Sequence, residues 1–343
     1  MALAKSSKSH VNTPLFAKLI FAYFALLAML CAVFILPPNL AFDALEQHIL
    51  INIKLPILTT AVVVGASIAA ASACLQVLLR NPLADPGIIG ISSGASLMAA
   101  CLFLLAGAPL LTNTTLGSSL FSLLQNNMVY VLPLLCFAGA LISALLIFAM
   151  AKWMGGAVGS VILAGIAIST LCSALIGWMF LVARPEQMQS LTFWLMGSFS
   201  NTNWHTLLFS APIAACALAL LMSQAAKFNQ LYLGEQSAQL VGLSVKRFHK
   251  LALVLIAVLI GVSVSIAGSI AFLGLLVPHF VRRLHGNDNR KTVPISALLG
   301  ASVMIICAII NAHLADTILP ISMLTASIGA PLFIYVMIKQ RPV

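Results

Sequence analysis

Residues 57–96 read ILTTAVVVGASIAAASACLQVLLRNPLADPGIIGISSGAS. The first part, 57–79, has no charged side chain. A helix needs about 20 apolar residues to cross the hydrocarbon core of a bilayer, so this run is long enough. It stops at Arg80. Asn81-Pro82 and Asp85-Pro86-Gly87 then supply turn chemistry, and a second apolar run comes at once. Two such runs around a tight polar turn predict a helical hairpin in lipid. A transmembrane strand would instead alternate over roughly ten positions. Helices are the remaining way to pair every backbone group inside hydrocarbon.

The rest of the chain extends the pattern. Hydrophobic residues make up 62% of the 343 positions and charged residues 7%. A soluble domain carries about 25% charged residues, so this chain lacks the polar surface to coat a fold in water. Apolar runs fall at 15–36, 57–79, 87–107, 128–151, 158–182, 204–223, 250–269, 271–284, 293–314 and 320–338. They predict an all-α, polytopic membrane protein of ten transmembrane helices, a single domain over residues 1–343. The eighth run is short and contains Pro278. The N-terminus carries lysines, but Leu15 to Leu36 is long enough to span, which favours a first helix over a cleaved signal.

The basic residues orient these spans. With both termini cytoplasmic, 15 of the 17 lysines and arginines fall inside, and only Lys54 and Arg184 fall outside. Positive charge concentrates on the cytoplasmic side in this way. The net charge of +10 therefore reports orientation and contact with membrane lipid, with no nucleic-acid partner needed to explain it. Trp153, Trp194 and Trp204 lie near span ends, as interfacial aromatics do.

The absences restrict function. Asp43, Glu46, Asp85, Glu186, Glu235, Asp288 and Asp316 all fall in predicted turns or at span ends. An ion-coupled carrier acting alone more often places a carboxylate mid-span. There is no GxxxxGK[ST] and no HExxH. Each of the seven cysteines sits in an apolar run and none forms a CxxC pair; buried Cys behaves as a small hydrophobe. No catalytic residue and no metal or cofactor site is expected, and the chain would draw its energy from another subunit. His48, His205 and His313 fall on the predicted outer side, where they are read as interfacial residues that could also meet haem or a metal-bearing cargo.

Three segments stand out. Asp85 reads as a helix cap with Pro86 in the first turn. The third span then opens on Gly87, Gly90, Ser92, Ser93, Gly94 and Ser96. A face so small and hydroxylated either lines a cavity or meets another backbone. The second segment, 227–250, is the longest predicted cytoplasmic connection. Gly234 and Gly242 bracket a short helix-like piece, Glu235 to Val241, and Ser244 is placed to cap the next helix. It is either a docking surface for a partner or a loop lying on the headgroups. The third, 274–291, crowds four basic residues beside Pro278-His279. Within the second span, Gly65, Ala69 and Ala73, and Ala66, Ala70 and Cys74, repeat every four residues, a spacing that suits close helix packing.

RNPLADPGIIGISSGAS (80–96), LAGIAIS (163–169), LGEQSAQLVGLS (233–244), GLLVPHFVRRL (274–284) and LTASIGAPLFIYVM (324–337) occur in this order. Together they resemble the FecCD family, the permease subunits of type II ATP-binding-cassette importers for iron–siderophore complexes, haem and vitamin B12. The resemblance covers about residues 50 to 340. It implies a type II importer permease in the cell inner membrane that is not itself an enzyme. It pairs with a second permease, identical or paralogous. Two ATPase subunits, which carry ATP and magnesium, bind below, and a periplasmic or lipid-anchored binding protein delivers cargo from above. On the matching positions, ATPase coupling falls to Gly234, Glu235, Ala238, Leu240, Gly242, Leu243 and Ser244. A cytoplasmic gate falls to Gly155, Gly156, Ala157, Val158, Gly159 and Ser160, and the path-side helix start to Gly87, Ser92, Ser93 and Gly94.

The chain departs from the family pattern at the outer side. An LRLPR motif is replaced by Ile53-Lys54-Leu55-Pro56-Ile57, and an Asp/Arg pair before the last span by Cys307 and Asn311. Those arginines are expected to meet acidic patches on the binding protein, so Lys54 is the remaining candidate for docking it. The expected cargo is an iron(III)–siderophore-type chelate, with haem, vitamin B12 and oxyanions such as molybdate as alternatives within the class.

Overall fold

The computed structural model describes residues 13–35, 43–105, 126–155, 158–199, 202–314 and 319–339. Every regular element among them is a helix. In chain order these are α1 (Thr13–Ile35), α2 (Ala44–Ile49), a π-helical turn (Leu50–Lys54), α3 (Leu55–Leu78), α4 (Ile91–Leu105), α5 (Met128–Trp153), α6 (Val158–Val182) and α7 (Pro185–Leu195). They continue as α8 (Trp204–Ser223), α9 (Ala225–Tyr232), α10 (Glu235–Leu240), α11 (Val245–Ala267), α12 (Leu273–His285), α13 (Asn289–Leu314) and α14 (Ile321–Lys339). Each of the ten apolar runs carries a helix. Among the described residues, six helices are long and apolar enough to cross a membrane, and α1, α4 and α14 contribute shorter apolar stretches. α12 has 13 residues, about 20 Å at 1.5 Å per residue.

Three rods form the interior. The apolar windows of the α2–α3 rod, α11 and α13 are 83%, 72% and 61% buried, against 33% for α6 and 28% for α8. Lipid tails are as apolar as leucine, so close backbone approach, rather than hydrophobic drive, holds such helices together. The small-residue stripe of α3 provides it. A Cβ on Gly65 would lie 2.6 Å from the Gly300 carbonyl carbon and 2.7 Å from Ala301 Cα of α13. Gly94 of α4 and Gly139 of α5 cross in the same way, a Cβ on Gly139 falling 2.8 Å from the Gly94 carbonyl carbon. Ala69, Ala70, Ala73 and Cys74 are fully buried, so the stripe is used for packing inside one chain.

The bundle also contains non-helical backbone. Between α11 and α12 the chain breaks at 268–272, with Gly268 at φ +72° and Phe272 at φ +65°. Buried irregular backbone requires partners, and they come from two other segments. Ser198 N donates to the Ala267 carbonyl at 3.0 Å, Ile321 N to Gly197 O at 2.9 Å and Ser322 N to Met196 O at 3.2 Å. The Ser322 hydroxyl donates to Ser269 O. The start of α14, the end of α7 and the break are thereby laced together.

The hairpin turn differs from its expected form. Helix α4 begins at Ile91, not at Gly87. Asp85 does cap: its Oδ1 accepts from Gly87 N at 2.8 Å and Ile88 N at 3.4 Å. The capped unit is a turn, and Gly90 at φ +90° ends it before the helix starts. One side of the turn is buried while Arg80, Pro82, Leu83 and Ile88 are exposed. Asp85 is 4% exposed, and a Cβ on Gly274 of α12 would collide with both its carboxylate and the Ser72 hydroxyl of α3.

Candidate functional site

The connection from α8 to α11 is built from two short helices, α9 and α10. Helix α9 is seated in the bundle: Phe228 is fully buried and meets Phe248 of α11 edge-on, 4.9 Å between ring centroids. Leu231 is buried too. Gly234, at φ +118°, turns the chain into α10. Helix α10 closes with Gly242 at φ +87°, where Gly242 N donates to Gln239 O at 2.9 Å and Leu243 N to Ala238 O at 3.0 Å. Such a paired closure needs a residue in the left-handed region, which glycine adopts without a Cβ penalty. Ala238 is fully buried and anchors α10 from below.

The other face of this unit is apolar and open. Leu233, Leu240 and Val241 are 76%, 90% and 66% exposed. Glu235 is exposed and Leu243 half-buried. Ser244 stands at the N-cap of α11 without a side-chain cap bond; only its carbonyl is used, by Phe248 N at 3.0 Å. Contiguous exposed apolar side chains rimmed by polar ones mark interaction surfaces.

The turn before α6 is built differently. Gly155 (φ +95°) and Gly159 are exposed, and a Cβ on either would meet nothing within 4 Å. Val158 is the first residue of α6, and Ser160 pins the helix start by donating from Oγ to Met154 O at 3.1 Å. Gly156 and Ala157 lie outside the described residues. The hairpin candidates are packed more tightly. Gly94 is buried against α5, Ser92 is buried with Oγ 3.4 Å from Pro86 O, and Gly87 and Ser93 are half-buried. A cavity of about 10 Å³ beside Asp85, Ser92 and Ser263 has room for about one water.

A larger cavity lies elsewhere. It holds about 1000 Å³ between α3, α4, α5, α7, α8 and α11, lined by Thr60, Phe103, Phe193, Trp194, Asn203 and Ser265 among others. Among the described residues, no lining side chain carries a charge. Among the described residues, none of the sequence-predicted site residues lines it. Helix α7, which forms one wall, was not anticipated from sequence; the cluster Arg184-Pro185-Glu186, cap chemistry before Leu191, is the signal that could have found it. Asn203 caps α8 by accepting from Thr206 N at 2.8 Å, and Trp204 Nε1 donates to Ile51 O at 2.8 Å, which fixes another wall to the α2–α3 rod.

Of the outer candidates, Lys54 ends the π-helical turn, half-buried, with Nζ 3.5 Å from the Ile35 carbonyl at the end of α1. Cys307 is buried. Asn311 pins the approach to α14, donating to Leu319 O at 2.9 Å and accepting from Leu319 N at 3.1 Å. His48 and His205 are exposed, and His313 Nδ1 lies 2.9 Å from Ile309 O. Among the described residues, no group of three His, Cys, Asp or Glu could hold a metal ion.

Comparison with known proteins supplies an independent line. Residues 15–339 match the model of the FecCD transport family. The chain is 36% identical over 297 residues to the hemin transport system permease protein HmuU of Yersinia pestis, covering 86% of this chain and 84% of that one. It is 35% identical over 319 residues to the vitamin B12 import system permease protein BtuC of Vibrio vulnificus, covering 92% and 90%. Among solved structures, it superposes at a TM-score of 0.82 and 29% identity on a chain described as an inward-facing metal-chelate type ABC transporter, covering 94% of this chain and 99% of that one.

Proposed function

The chain belongs to the FecCD transport family and is a membrane permease subunit of an ATP-binding-cassette importer, and on that premise we propose that it carries an iron(III)–siderophore-type chelate across the cell inner membrane. Hydrolysis of ATP belongs to a separate ATPase subunit. The proposed assembly has a second permease copy or paralogue, two ATPase subunits that hold ATP and magnesium, and a periplasmic or lipid-anchored binding protein that docks near Lys54. The permease itself takes no cofactor, and its N- and C-termini face the cytoplasm.

The observation that supports this reading is the α9–α10 unit. Its buried anchors, Phe228, Leu231 and Ala238, hold a short helix whose leucines and valine point away from the fold. An apolar face of that kind, on the end of the bundle rich in arginine and lysine, fits a protein partner. In the proposed cycle, ATP closes the ATPase pair and displaces α10. The open space around Gly155 and around Gly159 gives the start of α6 room to move, so access to a path between two permeases alternates. Gly87 in the capped turn and Ser92, Ser93 and Gly94 in the first turn of α4 lie beside that path. The cavity's lining, among the described residues, carries no charge, which supports a reading in which cargo choice lies with the binding protein.

The test is uptake into proteoliposomes holding the permease with its ATPase and binding protein. ATP-dependent uptake of a labelled ferric siderophore is expected. Uptake of haemin or cyanocobalamin without the siderophore would reassign the cargo within the class. Uptake by this chain alone, driven by a proton or sodium gradient and indifferent to ATP, would overturn the importer reading.

A further inference from the structure

The polar contacts of α9 run away from its docking face and into the bundle. Asn229 donates from Nδ2 to Asp288 Oδ1 at 2.6 Å. Its Oδ1 accepts from both nitrogens of Asn289, the backbone at 2.7 Å and Nδ2 at 2.8 Å. Asn289, fully buried at the head of α13, then accepts on Oδ1 from Arg282 Nη2 at 3.0 Å. The same Nη2 donates to the Ala73 carbonyl of α3 at 2.9 Å. Asn229, Asn289 and Arg282 thus join the docking unit to the most buried rod in the fold.

The far end of this chain of contacts is only partly used. Arg282 Nη1 is buried without a hydrogen-bond partner, and so are both amide atoms of Gln76 on α3. Gln76 is 4% exposed. Residues three apart share a helix face. Helical side chains lean toward the N-terminus, while the carbonyls point toward the C-terminus. The Ala73 carbonyl and the Gln76 side chain therefore converge on the same level of α3. A guanidinium offers five donors in a fixed fork; on α3 Arg282 engages one acceptor, the Ala73 carbonyl, and the Gln76 amide offers a second on the same face of that helix.

We propose that Arg282 is a positioning residue that passes movement of the docking unit to α3, by exchanging its hold between the Ala73 carbonyl and the Gln76 amide. The Phe228–Phe248 contact holds α9 in place, but apolar contact is non-directional and lets surfaces slide. Directed hydrogen bonds to two fixed acceptors convert a slide into a step between two arrangements. The proposal rests on the importer reading, because an ATPase must move α9.

The decisive variant is Gln76→Met, which keeps the volume and removes the unpartnered amide. The permease–ATPase complex is reconstituted in nanodiscs with Thr60→Cys, on α3 and lining the large cavity, and Cys216→Ser to remove the exposed native thiol. The rate at which a water-soluble maleimide labels position 60 is read by mass spectrometry, without nucleotide and with ATP–vanadate. In the parent complex nucleotide changes that rate several-fold. In Gln76→Met the change is lost, while the ATPase still co-purifies and the unfolding temperature is equal or higher. Arg282→Lys, which keeps the charge without the fork, also loses it. A nucleotide-induced change in Gln76→Met equal to that of the parent overturns the proposal, and so does a loss that comes with a lowered unfolding temperature. Absence of any change in the parent complex overturns the importer reading, and the proposal with it.

Discussion

Leu240→Ala separates a docking face from a piece of core. Leu240 is 90% exposed at the end of α10, so it contributes little to the isolated permease, and surface substitutions of this kind move stability by about 0.5 kcal/mol at most. If the ATPase covers it, truncation removes three buried carbon groups at about 0.8 kcal/mol each, or roughly 2 kcal/mol. A difference of about 1.4 kcal/mol is tenfold, so the ATPase should bind roughly 30-fold more weakly. The assay titrates purified ATPase onto the permease in nanodiscs and records the unfolding temperature in parallel. Phe228→Ala is the control from the same segment. Phe228 is fully buried, and its loss should cost about 3–5 kcal/mol of fold stability. Unchanged ATPase affinity in Leu240→Ala, or a drop in stability like that of the control, would refute the assignment of α10 as the docking face.

Three further outcomes are expected. Gly300→Ala should destabilise the bundle by about 1–3 kcal/mol, because its Cβ would collide with the Gly65 carbonyl across the α3–α13 crossing; thermal unfolding measures this, and Gly300→Leu should not yield a monodisperse protein on gel filtration. Asp85→Asn should keep its unfolding temperature close to the parent's, since an amide oxygen still accepts from Gly87 N and Ile88 N. Asp85→Ala should lose about 1 kcal/mol or more, and an equal loss in both variants would show that the cap is not what the residue provides. Cysteine at Gly159, where open space surrounds the backbone, should cross-link between permease copies with a yield that depends on nucleotide, and an invariant yield would count against a gate there.

Much of the fold is legible because lipid permits so few alternatives. Ten apolar runs carry helices, since a backbone in hydrocarbon must pair within its own segment. The limits of α10 could be read from Gly234 and Gly242 because left-handed backbone selects glycine, and both sit at positive φ. Helix α7 was not legible: its 11 residues are mixed in polarity and shorter than any span. The start of α4 was displaced to Ile91 because Asp85 caps a turn that Gly90, at φ +90°, ends before the helix begins.

The class of the molecule, the helical runs and the turn chemistry between them were determined by the sequence itself, through local composition. Tertiary structure alone decided which helices are central, that Asp85 is buried against Gly274, that α9 docks through Phe228 while α10 faces outward, and that Arg282 reaches α3. The reason is physical. In water, hydrophobic periodicity marks the face of a helix that meets protein. In lipid every face is apolar, so the sequence carries no such mark, and the partner of each face is settled only by which small residues let two backbones close.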